Sequence, residues 1–343
     1  VKGNLLSQQF TEAHLRLPTS KDDIKSYADE NYHKTLLSIP VLGLVVFTIL
    51  PIFFMIFIAF TNYDKAHQPP AQLFQWSGVD NFVTVLGGGI SADSKVFAYT
   101  FGEVLLWTIV WAFFATFTNY ILGMVVAILI NKKGVKFKKL WRTILVITIA
   151  VPQFVSLMFM SQLLANQGLI NSLLLKWGWI DKAIPFLTDG TFARITIIIV
   201  NIWIGIPYSM LICTGILMNI PTDLYESARM DGAGPIRAYM KITLPYMLHV
   251  TTPYLITQFI GNLNNFNVIF LLTGGNPPLE MDGFNTTAGE TDLLITWLYK
   301  LTVTENKYGL ASVIGIFTFV IVAAFSLILY NRSKSVKNEE EFM

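Results

Sequence analysis

Six apolar runs, near residues 36–60, 101–130, 143–165, 195–219, 248–272 and 309–330, leave this chain little choice of fold. A bilayer core about 30 Å thick takes roughly 20 residues of helix to cross, and every run is long enough. Barrel strands are excluded, because they alternate polar and apolar residues over only about 10 positions. The class is therefore all-α, a polytopic membrane helical bundle of six spans. Composition agrees: charged residues are 13% and hydrophobic residues 53% of the chain. A soluble domain needs about 25% charge to clothe its surface. The net charge of +2 points to no nucleic-acid partner, and the single cysteine, Cys213, makes no internal disulfide.

Lysine and arginine set the orientation. Counted over alternate segments between the runs, they divide 17 to 7, and the six in 131–142 dominate the larger group. The positive-inside rule puts that group, with both chain ends, in the cytoplasm. The basic stretch at 132–142 then reads as topology signal and anionic-lipid contact. The first 35 residues form a cytoplasmic segment, whose first 30 read as a short amphipathic helix, and residues 332–343 form a cytoplasmic tail. No cleavable signal is present, and a first residue of Val suggests numbering that begins inside a longer precursor. In the outer loop 61–98, Phe74, Trp76 and Phe82 suit an interface-hugging segment.

The segment 221–245, PTDLYESARMDGAGPIRAYMKITLP, carries more punctuation than a connector needs. Asp223 with Glu226 three residues on predicts a capping box and a helix start. Gly232 and Gly234 predict its end, and Pro235 suits the first position of a second helix. A helix–turn–helix facing the cytoplasm results. The segment resembles the EAA loop of binding-protein-dependent ABC importer permeases, which reads E-A-A, three residues, G, nine residues, I-x-L-P. Here it stands as Glu226-Ser227-Ala228, Gly232 and Ile242-Thr243-Leu244-Pro245, with one departure at Ser227.

The resemblance runs from about 40 to 331 and is closest to MalF-type maltose/maltodextrin permease subunits. It is carried by AFTNYD (59–64), WSGVDNF (76–82), IVNIWIGIPY (199–208), DLYESARMDGAGP (223–235), NNFNVIFLLTGGNP (264–277) and AGETDLL (288–294). It implies a transmembrane permease domain over 36–331 in a bacterial inner or plasma membrane. It also implies a heterodimer with a second permease, two ATPase subunits and an extracellular sugar-binding protein. Glu226, Ser227, Ala228, Asp231 and Gly232 would then meet the ATPase. The chain has no G-x-x-x-x-G-K-[ST], so ATP belongs to that partner, and neither cofactor nor metal is expected on this chain. MalF-type chains can carry a large insertion in the first outer loop and two further leading spans, both absent from this sequence.

A transported sugar needs neutral hydrogen-bonding groups and flat apolar faces, without costly mid-membrane charge. Asn201, Trp203, Gly205 and Tyr208 supply these on the fourth run, with Ile204 and Gly205 on the face shared by Asn201 and Tyr208. On the fifth, Gln258, Asn262 and Asn265 share a face, and Asn264 stands beside them. Interhelical hydrogen bonding is the other reading of such residues. The resemblance favours sugar contact for Asn201, Ile204, Gly205, Tyr208, Asn262 and Asn265. Gly261 and Gln258 depart from the family's aromatic and Ser, and Ile149 and Gln153 stand where the Gram-negative protein has Tyr and Ser, so a different oligosaccharide pose is expected. Glu103, at the opening of the second run, reads as an interface residue, and Trp107 and Trp111 as packing or interface anchors. An ion-coupled transporter would want mid-membrane acids, and an enzyme a catalytic cluster, and the runs offer neither.

Overall fold

In the computed structural model, residue 29 and residues 31–332, except 71, 90 and 133, are described. The amphipathic helix expected in the first 30 residues and the tail beyond 332 lie outside the described residues. All six apolar runs fall on helices. Helix α1 (Tyr32–Ala59) contains a π-helical turn at Val45–Ile49. The chain divides into two compact units between Phe57 and Ile58, and the rest of this section concerns the second.

Helix α3 (Ala92–Asn131) follows the short α2 (Asp80–Val85) and runs for 40 residues. At 1.5 Å per residue it is about 60 Å long, twice the core it must cross. Its start is fixed by the Ser91 side chain, which accepts from the Ser94 N–H. Glu103 sits three turns inside α3, at the start of its apolar run.

Helix α7 (Gly190–Asn219) packs along α3. Two glycines permit the approach. A Cβ on Gly123 would strike Ser209, and one on Gly205 would fall on the Asn119 side-chain amide. Small residues at such seams let membrane helices gain dispersion contact where lipid supplies no hydrophobic drive.

Two spans are broken. The third run splits into α4 (Lys138–Ala150) and α5 (Gln153–Leu164), and with α6 (Leu169–Lys176) the pair bends by 88°. Pro152 is the N-cap of α5, where its missing N–H costs no ladder bond. The fifth run forms α9 (Pro235–Leu263) and α10 (Phe266–Leu272), bent by 43°. Among the described residues four helices are thus long and apolar enough to cross a membrane, and six spans result when each bent pair counts as one.

The loop 221–245 is a helix–turn–helix. Helix α8 (Thr222–Met230) ends at Gly232, whose φ of +75° only glycine adopts freely, and the Ala233 N–H closes back on the Ala228 carbonyl at 2.8 Å. Gly234 then caps α9, with Pro235 in its first turn. The start of α8 differs from the expectation. Its N-cap is Pro221, with no side-chain capping bond, so Asp223 acts on the helix dipole from the first turn instead of closing a capping box.

One element was not foreseen in an all-helical reading. Residues 278–289 form a hairpin, β1 (Pro278–Met281) against β2 (Phe284–Gly289), with Met281 opposite Phe284. Helix α11 (Leu294–Val303) follows, burying Leu294, Trp297 and Leu301, and α12 (Tyr308–Arg332) is the last of the described helices. The loop after α1 packs on its own chain: Trp76 stacks on Phe60 at 5.4 Å, and the Asn81 amide donates to the Ala59 and Thr61 carbonyls.

Candidate transport site and coupling loop

The break at Pro152 and the middle of α7 enclose a cleft of about 400 Å³. Ile149, Gln153 and Ser156 line it from the broken span, and Trp203, Ile204 and Tyr208 from α7. Its character is aromatic and aliphatic with neutral polar groups. No carboxylate or cation is among its lining residues.

Tyr208 is shared with a second, smaller cavity of about 60 Å³ between α3, α7 and α9. Gly205 and Gln258 line this one, with Asn119, Ser209 and Tyr254. The structure therefore brings four of the seven expected sugar-contact residues to two adjoining cavities: Ile204, Gly205, Tyr208 and Gln258.

The other three are placed differently. Asn201 is buried, and its amide nitrogen donates to no partner. Asn262 and Asn265 hold the break between α9 and α10. The Asn262 amide donates to Thr116 Oγ1 at 3.0 Å, while its main-chain carbonyl accepts from Trp111 Nε1 at 3.1 Å. Asn265 donates to Asn262 Oδ1 at 3.2 Å and accepts from the Val268 N–H, capping α10. These bonds satisfy main-chain groups that a broken membrane helix would otherwise strand. Neither residue lines the two cavities.

Sequence reasoning passed over Asn119. The signal was there in the run of polar residues Thr116, Thr118, Asn119 and Tyr120 within an otherwise apolar span. Trp107 and Trp111 are buried, and they do more than pack, because each indole N–H bonds to main chain of a distant segment.

The loop carrying AGETDLL is tied down by charge. Asp292 is fully buried, 2.6 Å from Lys300 Nζ, and accepts from the Gly289 N–H at 2.7 Å and the Thr296 hydroxyl at 2.8 Å. Burial pushes its carboxyl above the usual range, although Lys300 and these donors pull the other way. Gly275, at φ +84°, has no Cβ because one would fall on the Asp292 carboxylate. Arg194 donates to the Glu290 carbonyl at 2.8 Å and lies 5.1 Å from the centroid of Trp107.

At the opposite end of α7, α8 projects from the bundle. Glu226, Ser227, Asp231 and Gly232 are exposed, and Ala228 is half-buried. Met230 and Ile236 expose 89% and 81% of their surface, an apolar tip unsuited to water. The helix is fixed at its base by a 2.8 Å hydrogen bond between the Tyr225 and Thr243 hydroxyls.

The described residues thus form a helical bundle with two broken spans, a neutral cleft at one break and a projecting helix pair. Residues 119–337 match the sequence model of the family described as binding-protein-dependent transport system inner membrane component, and the chain belongs to that family. It is a membrane permease subunit of an ABC importer, whose ATPase is a separate subunit. Among its relatives is the galactooligosaccharides transport system permease protein GanP of Bacillus subtilis (strain 168), 38% identical over 94% of this chain and 75% of the relative. The maltodextrin transport system permease protein MdxF of the same organism is 34% identical over 96% and 75%. A bacterial ABC transporter that imports the acidic polysaccharide alginate shares the fold, with a TM-score of 0.69 at 22% identity over 92% of this chain and 99% of that one.

Proposed function

We propose that this permease moves maltose/maltodextrin-type oligosaccharides inward by alternating access. The observation that carries the reading is the neutral cleft at the Pro152 break, walled by Trp203, Ile204 and Tyr208. Aromatic and aliphatic walls suit sugar ring faces, and Gln153 and Ser156 offer uncharged hydrogen bonds. The absence of charge in the lining argues for a neutral glycan over an acidic one. A galactooligosaccharide is the second reading, favoured by the identity to GanP.

The working assembly pairs this chain with a second permease subunit, two ATPase subunits and an extracellular sugar-binding protein. Both chain ends lie in the cytoplasm, ATP is used by the partner, and this chain binds no cofactor. ATP-driven closure of the ATPases moves the helix pair of 221–245, with Glu226, Ser227, Ala228, Asp231 and Gly232 at the contact. Asn201, Asn262 and Asn265 join the sugar site when the spans rearrange. The loaded binding protein favours the outward-open state, so the two ligands are linked through one conformational equilibrium.

The test is uptake of labelled maltotetraose and galactotriose into proteoliposomes holding the whole complex. Uptake that needs ATP and binding protein and survives a protonophore supports the reading. Uptake driven by an ion gradient without ATP would overturn it.

A further inference from the structure

The small cavity behind Tyr208 holds a polar group with nothing to bond to. Asn119 Oδ1 is buried and accepts no hydrogen bond. Its amide sits in the notch left by Gly205, and across the same cavity stands Gln258, whose side chain bonds to none of the described residues. A buried amide oxygen without a donor costs roughly 1–3 kcal/mol, so a group that can donate to it is favoured there. Ser209 and Tyr254 do not serve it, because their hydroxyls face each other at 3.4 Å. The cavity measures about 60 Å³, room for a few water-sized groups. Tyr208 alone belongs to both this chamber and the larger cleft, and 51% of its surface is exposed. Tyr208 therefore stands where the two spaces adjoin.

We propose that Asn119 and Gln258 floor a polar subsite that takes a hydroxyl or hydroxymethyl group of the transported oligosaccharide once Tyr208 swings aside. The sugar O–H donates to Asn119 Oδ1, and Gln258 supplies a second bond. The inference rests on the oligosaccharide reading above, and it adds a specificity residue on α3. Gly205 then acts by letting Asn119 reach α7, rather than by admitting a sugar ring directly.

The test uses the complete importer in proteoliposomes, with maltotetraose and galactotriose as probes. Asn119→Ala should raise the KM for uptake about tenfold, the loss of one buried hydrogen bond. The maximal rate and the ATP hydrolysis stimulated by loaded binding protein should stay within twofold of wild type. Asn119→Ser, which keeps a small acceptor, should fall between the two. A wild-type KM in both variants overturns the subsite and leaves the importer reading standing. Failure of both variants to assemble makes Asn119 a packing residue and overturns the subsite as well. Failure of the wild-type complex to take up either sugar sinks the oligosaccharide reading and the subsite with it.

Discussion

The Tyr225 hydroxyl meets the Thr243 hydroxyl at 2.8 Å, and this bond ties the projecting helix α8 to the π-helical turn at Tyr239–Thr243 of the next span. Force applied to α8 therefore passes into α9 directly, without relying on the glycine turn between them. Tyr225→Phe removes one side of the bond and little else. ATP hydrolysis by the assembled complex should persist while sugar moved per ATP falls severalfold, read by measuring both in the same vesicles. Unchanged stoichiometry would show that the turn alone transmits the motion.

Gly232 presents a different requirement. Its φ of +75° strains any side chain by about 1–3 kcal/mol, although no atom stands in the way of a Cβ. Gly232→Val should therefore misdirect the end of α8 without disturbing the bundle. Thermal unfolding of the complex should change little, and binding-protein-stimulated transport should drop at least tenfold. Transport at the wild-type rate would mean that the left-handed turn is dispensable.

The seam between α3 and α7 predicts a stability effect instead. A Cβ at Gly123 would overlap Ser209, backbone included. Gly123→Leu should lower the yield of folded protein sharply, measured as monodisperse complex after solubilisation, whereas Gly215→Leu, where a Cβ meets nothing, should not.

The Asp292–Lys300 pair adds a pH dependence. Burial raises the Asp292 carboxyl in the folded state, so the fold holds a proton that the unfolded chain has already released. Its contribution is therefore largest below the ordinary carboxylate range. It declines as pH climbs from that range through the raised value, and is level above it. Asp292→Asn should flatten the decline in a series of unfolding midpoints. Lys300→Met removes the cation that holds the Asp292 carboxyl down, so the decline should move to higher pH.

Much of this was legible in the sequence, and the reasons differ by element. The six spans follow from hydropathy and length, and the α8 turn from glycine and proline at fixed spacing. The 88° break at Pro152 was not legible, because proline is tolerated inside membrane helices as readily as it breaks them. The hairpin at 278–289 was missed because its strands are short and lack apolar alternation. Within the site, Ile204 and Tyr208 reach the cleft because helical spacing fixes a shared face. Asn262 and Asn265 could be read from sequence as sugar ligands or as structural amides, and only the bend between α9 and α10 shows their bonds to Thr116 and Val268. Asn119 escaped notice because its meaning lies in its neighbour on another helix, Gly205.

The central claim is that ATP hydrolysis elsewhere is felt at the sugar cleft through 221–245. The direct measurement is the ATPase rate of the reconstituted complex with empty and with oligosaccharide-loaded binding protein, in wild type and Gly232→Val. The account predicts severalfold stimulation by the loaded protein in wild type and its loss in the variant, with the basal rate retained. Equal stimulation in both, or an ATPase that does not co-purify with this chain at all, would contradict it.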